Sequence, residues 1–178
     1  MRILIVGGSK SGKSHLAQQL TRSLASGGRA YYWATMEPTD REDAERIEKH
    51  IEDRAGWGFE TIERGRALTD GPMPEADSSV LFDSVTALLA NEMFFGQEPD
   101  PTAPLRALRE LIVVSKQVRN FVCVCDEVFR DGFEYGDWTD EYVRGLAGVC
   151  RGLASVFDAV YEAAAGIIKV HKGLPFEV

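Results

Sequence analysis

Near the amino terminus the run Gly7-Gly8-Ser9-Lys10-Ser11-Gly12-Lys13-Ser14 combines backbone freedom, positive charge and hydroxyl groups at the spacing Gly-x-x-x-x-Gly-Lys-Ser. Four apolar β-formers, Ile3-Leu4-Ile5-Val6, precede it and an amphipathic stretch follows, so it reads as a loop between a strand and a helix. Gly7 and Gly12 permit torsions and close approaches that a side chain forbids. Successive backbone amides can then point at phosphate oxygens at the start of the helix. Lys13 brings a compact charge to the β- and γ-phosphates, the Ser14 hydroxyl can coordinate Mg²⁺, and Lys10 adds a second cation within the loop. A plain glycine-rich turn with solvated lysines does not account for the coincidence of spacing and flanks. The chemistry implied is nucleoside triphosphate binding.

Such a loop needs a carboxylate at the end of a neighbouring strand to hold the metal's water shell. Asp83, directly after Val80-Leu81-Phe82, is the first candidate; Asp126-Glu127, after the run ending at Cys125, is the competitor. The alternative for Asp83 is a capping role before Ser84-Val85-Thr86. From the residues alone, His50 is a surface histidine at the edge of a helix, where an imidazole can also face a cleft. His15 and His171 read as structural or incidental, and Trp57 and Phe59 as core or cleft-wall aromatics. Cys123, Cys125 and Cys150 lack the spacing of a zinc site and read as buried, reduced thiols.

Short apolar runs alternating with helical patterns position these groups, which marks parallel strands joined by crossover helices. Strands are expected at 3–6, 30–34, 79–82, 121–125, 158–163 and 167–170, the last two pairing around a turn at Gly166. Helices are expected from Ser14 to Leu24, from Leu105 to Val118, and from about Asp40 to Arg54. The last of these has a capping box at Thr39 and Glu42 and a narrow apolar stripe of Ala44, Ile47 and Ile51. Residues 65–77 and 96–104, rich in Gly, Pro and Asp, read as surface connections. No internal repeat or low-complexity tract divides the chain. The expected fold is an α/β P-loop NTPase of RecA-like type, a three-layer sandwich with a mostly parallel sheet and helices on both faces, forming one nucleotide-binding catalytic domain over residues 1–178.

The 178 residues, 44% of them hydrophobic, are enough for one well-buried core. A net charge of −8 with scattered basic residues excludes the electrostatic footprint of a duplex-binding protein. No segment approaches the roughly 20 apolar residues that span a bilayer, and the stretch before the loop is too short for a secretory signal. A cytoplasmic protein with neither nucleic acid nor membrane as partner is expected.

Beyond the loop, four stretches in order resemble the bifunctional adenosylcobinamide kinase and adenosylcobinamide-phosphate guanylyltransferase family of cobalamin biosynthesis. They are Ile3 to Ser14 with its doubled glycine, Tyr32-Trp33-Ala34-Thr35, Arg46 to Arg54 followed by Glu60-Thr61-Ile62-Glu63, and Leu81 to Thr86 with Asn91 further on. Weaker echoes follow at Asp126-Glu127-Val128, Leu146-Ala147-Gly148 and Ala165-Gly166-Ile167. The resemblance implies that His50 is the nucleophile accepting GMP from GTP. It also implies that ATP or GTP phosphorylates the aminopropanol arm of a corrinoid, and that GMP then passes to it, giving adenosylcobinamide-GDP. Nucleotide contacts carry over to Gly7, Gly8, Ser9, Lys10, Ser11, Gly12, Lys13 and Ser14, to Trp33, Ala34 and Thr35, to Ile51, Glu52, Asp53 and Arg54, and to Glu63 and Asp83. Lys13 joins His50 in catalysis, and Ser14 and Asp83 are the Mg²⁺ ligands. A homo-oligomer, specifically a trimer with sites between subunits, is implied by the same likeness.

The chain departs from the family pattern mainly in its second half. Lys49 stands where many relatives have a second histidine, and the family's Asn-Glu-Val-Gly reads Asp126-Glu127-Val128-Phe129, followed by the unusual stretch Arg130 to Trp138. An Arg-Asp pair reads Arg144-Gly145, and an Asn after Gly148 has no counterpart. The alternatives to the bifunctional enzyme are a P-loop kinase for another small metabolite, with His50 incidental, and a nucleotide-binding regulatory protein without catalysis.

Overall fold

Strands that are apolar on both sides must be covered on both faces, and each face of the sheet accordingly has its own core. The computed structural model describes residues 1–38, 48, 51–52, 55–128 and 136–175. Within them, seven strands form one sheet: β1 (Arg2–Gly7), β2 (Ala30–Ala34), β3 (Glu60–Glu63), β4 (Ser79–Asp83), β5 (Asn120–Asp126), β6 (Ala159–Ala164) and β7 (Ile167–Lys172). Their order is β3-β2-β4-β5-β1-β6-β7, parallel throughout except that β7 runs antiparallel to β6. The helices among the described residues are α1 (Lys13–Ala25), α2 (Val85–Met93), α3 (Ala103–Gln117) and α4 (Asp137–Val156).

The two-residue period of the strands sorts the core. Ile3, Ile5, Tyr32, Leu81, Val122, Val124 and Tyr161 pack with Leu16, Ala17 and Leu20 of α1 on one face. Leu4, Tyr31, Trp33, Val80, Phe82, Phe121, Cys123, Cys125 and Val160 point the other way, into the layer of α2, α3 and α4. The expected α/β sandwich, a mostly parallel sheet with helices on both faces, is the architecture observed. The three cysteines are buried and unbridged, as expected.

All six expected strands occur, within one or two residues of their expected ends. β6 and β7 turn on Ala165 (φ 50°) and Gly166 (φ 79°), the paired positive torsions of a tight hairpin. Helix α3 starts at Ala103, earlier than Leu105, because Pro104 is tolerated in a first turn. The connection over residues 65–77 is more than a surface loop: Leu68 is fully buried, and Arg64 donates to the carbonyls of Leu68 (2.9 Å) and Pro72 (3.0 Å).

Helix α4 is not foreseen above. It buries Leu146, Val149, Cys150 and Leu153 at three- and four-residue steps, a helical signal diluted by three glycines. A Cβ at Gly145 would lie 2.6 Å from Pro104 Cγ, and one at Gly152 would lie 2.5 Å from Leu108 Cδ2. These glycines let α4 lie close against α3, which gives Gly145 and Gly152 a packing reason to lack a side chain. Most of the expected helix over 40–54 lies outside the described residues; of it, Glu48, Ile51 and Glu52 are helical, and Ile51 is 46% exposed.

Candidate nucleotide site

In a parallel sheet the strands' carboxyl ends share one edge, and ligands bind in the crevice outside it. Register sets the order of groups along that edge. Glu63 of β3 stands beside Ala34 of β2, Ala34 beside Asp83 of β4, and Asp126 of β5 beside Gly7 of β1. The strand neighbouring the phosphate loop is therefore β5, not the strand of Asp83, which lies one place further out.

The loop is held by close packing. A Cβ on Gly7 would meet the Ala163 carbonyl oxygen at 2.5 Å and Ser11 Oγ at 2.6 Å, and Gly12 has φ 93°. Lys13 opens α1 and is nearly buried; its Nζ donates to the Gly8 carbonyl at 3.2 Å and meets Asp126 Oδ1 at 2.6 Å. Ser9, Lys10 and Gly12 are exposed. Ser11 Oγ is buried, with no hydrogen-bond partner among the described residues, which suits a loop whose polar atoms wait for phosphate oxygens.

Facing the loop, the Tyr32 hydroxyl donates to Asp83 Oδ2 at 2.6 Å. Asp83 does not cap α2. That role belongs to Ser84, whose Oγ accepts from Ala87 N. Thr35, fully buried, accepts from Ser84 N at 2.6 Å and donates to Ser84 O at 2.9 Å. Asn91 Nδ2 donates to the Thr35 and Gly65 carbonyls. Thr86 Oγ1 accepts from Asp126 N at 2.8 Å, and the Thr86 carbonyl accepts from Tyr142. Burial, then the acidic neighbours Cys125 and Asp126, push the Tyr142 hydroxyl's pKa up. The bond from Cys150 and then burial raise the Cys125 thiol, which keeps it uncharged at the end of β5.

Two cavities follow. One of about 920 Å³ is lined by Lys10, Lys13, Ser14, Asp83, Asp126 and Glu127, among others. A smaller one of about 320 Å³, walled by Tyr32, Ala34, Met36, Glu63, Arg64 and Asp83 among others, opens beside it at the ends of β2, β3 and β4. Among the described residues no group of three or more His, Cys, Asp or Glu could hold a metal by itself. Ser14 and Asp83 offer the hard oxygens that suit a Mg²⁺ arriving on phosphates.

The placement of the expected site residues divides them. Lys13, Ser14, Lys10, Ser9 and Asp83 line the large cavity, and Ala34, Glu63 and Asp83 the small one. Trp33 does not reach either: its indole is in the core, with Nε1 donating to Arg64 O at 2.9 Å, so only its backbone lies near the edge. His50, Asp53 and Arg54 lie outside the described residues, while Ile51 and Glu52 are exposed. His15 packs edge-on against half-buried Trp57, and Phe59 joins the α1-side core against Tyr32. His171 Nε2 lies 2.6 Å from Glu162 Oε2 on the far hairpin. Sequence reasoning missed Tyr32, Thr86 and Tyr142. Tyr32 stands between Tyr31 and Trp33 in a continuously apolar, buried strand, so nothing local marks it as a partner of Asp83.

The chain is similar to known proteins over most of its length. The family described as cobinamide kinase / cobinamide phosphate guanyltransferase matches residues 3–170. The bifunctional adenosylcobalamin biosynthesis protein CobU of Salmonella typhimurium is 36% identical, over 94% of this chain and 97% of its own. CobP of Pseudomonas aeruginosa, carrying the same description, is 29% identical over 98% of this chain and 99% of its own. CobU of Escherichia coli is 30% identical over 70% of this chain and 68% of its own. Among the described residues no helix is long and apolar enough to cross a membrane.

Proposed function

The chain belongs to the cobinamide kinase / cobinamide phosphate guanyltransferase family, and from that premise we propose which residues carry its two reactions. In the first, the hydroxyl oxygen of the aminopropanol arm of adenosylcobinamide attacks the terminal phosphorus of ATP or GTP. An O–P bond forms as the bond to the bridging oxygen breaks, and ADP or GDP leaves while the hydroxyl proton passes to solvent. Lys13 faces the charge that spreads over the transferring group. Ser14 and Asp83 would hold Mg²⁺, which when bound neutralises phosphate charge, and Tyr32 keeps the Asp83 carboxylate turned toward the cavity.

In the second reaction the imidazole of His50 attacks the α-phosphate of GTP. An N–P bond forms, the bond to the bridging oxygen breaks, and pyrophosphate leaves. The terminal phosphate oxygen of the phosphorylated corrinoid then attacks the same phosphorus, and the N–P bond breaks to free His50 and yield adenosylcobinamide-GDP. A neutral imidazole, with an ordinary pKa of about 6.5, is nucleophilic at cellular pH, and the covalent step divides one difficult transfer into two. Glu63 accepts hydrogen bonds from the guanine edge or the ribose, and Arg54 meets a phosphate with two parallel donors.

The single observation that carries the reading is the convergence of Lys13, Ser14 and Asp83 on one cavity beside the loop. The unit is one catalytic domain over residues 1–178, assembled as a trimer in the cytoplasm, where nucleoside triphosphates are available. Assays of both half-reactions test it. Lys13→Ala impairs both steps, and His50→Ala abolishes guanylyl transfer while phosphorylation persists. Acid-labile label from α-labelled GTP stays on the wild-type protein and not on His50→Ala. Equal guanylyl transfer by His50→Ala and wild type removes the proposed nucleophile, and light scattering of the purified protein reads the trimer.

A further inference from the structure

Asp126, at the carboxyl end of β5 beside the phosphate loop, has no part in the roles proposed above. Its carboxylate meets Lys13 Nζ at 2.6 Å, and the pair is fixed from both ends. Asp126 is paired with Gly7 in the β1–β5 register, Glu127 N donates to Gly7 O at 3.0 Å, and Asp126 N donates to Thr86 Oγ1 at 2.8 Å. Thr86 is in turn held by Tyr142 through its carbonyl. Lys13 has little freedom to turn elsewhere, its side chain being only 11% exposed against 37% for Asp126. The cation the phosphates need is thus already satisfied by a carboxylate in the same cavity that Asp83 lines.

Charge decides what can displace it. An uncomplexed triphosphate carries about four negative charges and would enter a cavity walled by Asp83 and Asp126. Like charges brought together without a counterion repel, and binding is weakened accordingly. Bound Mg²⁺ removes half of the ligand's charge before it arrives, so the exchange of carboxylate for phosphate at Lys13 proceeds without that repulsion. An amide at position 126 would neither compete for Lys13 nor repel phosphate.

We propose that Asp126 is a specificity-determining residue: its ion pair with Lys13 makes this loop select metal-complexed triphosphates over free ones. The proposal rests on the reading of Lys13 as the phosphate-binding lysine. It predicts a difference in binding, separate from catalysis.

The test is calorimetric titration with a non-hydrolysable GTP analogue, with Mg²⁺ and with chelator, on wild type, Asp126→Asn, Asp126→Glu and Lys13→Ala, each checked for folding by thermal melting. Wild type is expected to bind the Mg²⁺ complex at least about tenfold more tightly than the free analogue, as a like-charge penalty of this kind requires. Asp126→Asn is expected to recover about tenfold for the free analogue while its affinity for the complex changes less than about threefold. Asp126→Glu, keeping the charge, retains the preference. Wild type with no preference for the complex, or Asp126→Asn with an unchanged ratio, overturns the proposal and leaves the loop's role intact. Undiminished binding by Lys13→Ala overturns the reading beneath it and the proposal together.

Discussion

At the scale of single residues, the site is a set of short polar contacts whose donors come from apolar strands and from the helices packed on them. Tyr32 is the clearest case, since its ring is packed on the α1 side while its hydroxyl holds Asp83 at 2.6 Å. A hydrogen bond to a charged group contributes about 1.5–3 kcal/mol. Tyr32→Phe should therefore lower the phosphoryl-transfer kcat about ten- to a hundredfold, with the fold retained because the ring still fills its place. A kcat within twofold of wild type would show that Asp83 needs no such support. Gly7 is constrained from the opposite direction, by space. The methyl of Gly7→Ala would press on the Ala163 carbonyl at 2.5 Å, and overpacking of this kind costs about 1–3 kcal/mol. Urea unfolding should show a stability lowered by that amount, read as a lower midpoint, together with weakened nucleotide binding; an unmoved midpoint would mean that β6 gives way freely.

At the scale of elements, helix starts carry the loops that frame the site. Asp100 organises the start of α3. It accepts from the Thr102 amide and hydroxyl, and from Arg106 Nη1 at 2.8 Å. The Thr102 hydroxyl, then Arg106, hold its carboxyl down at a pKa of about 2, against 3.8 ordinarily. A depressed carboxylate stabilises the fold above its unfolded pKa, and that contribution is lost as pH falls through the folded value. The melting temperature of Asp100→Asn should consequently lie below wild type at pH 7, with the gap holding to about pH 4 and closing by about pH 2. A gap that persists at pH 2 would assign the effect to packing instead of charge. Arg106 also reaches Glu92 of α2, so the same cluster ties α3 to the helix that begins at Ser84, directly after Asp83.

At the scale of the whole molecule, one sheet edge gathers groups from five strands, and ligand binding there should be felt globally. A ligand bound only by the native state at a hundred times its Kd adds about 2.7 kcal/mol of stability. Melting in the presence of GTP and Mg²⁺ should rise accordingly, and a chelator should remove about half of the rise or more, because the free triphosphate meets Asp83 and Asp126. A chelator without effect would separate nucleotide binding from any metal. The buried thiols enter here too: Cys123 and Cys125 lie under the edge, their pKa values raised, and contribute packing without reactive charge.

The amino-acid sequence by itself determined the phosphate loop, because a strand, a glycine-spaced turn and a helix start are contiguous and each obeys a local rule. It determined the two-sided parallel sheet as well, since continuous apolar strands admit no wet face. Its likeness to relatives supplied His50, whose neighbourhood lies outside the described residues. Strand order was decided only in three dimensions: nothing in the local pattern of β4 or β5 says which one lies beside β1. That order puts Asp126, not Asp83, against Lys13, and leaves Asp83 to Tyr32. Helix α4 was hidden for the same reason, because its glycines weaken a helical pattern when read alone and make sense only with Pro104 and Leu108 of α3 packed against them. Periodicity reports which way a residue faces within its own element; which element it then meets is settled by the crossover paths and by the space left between packed layers.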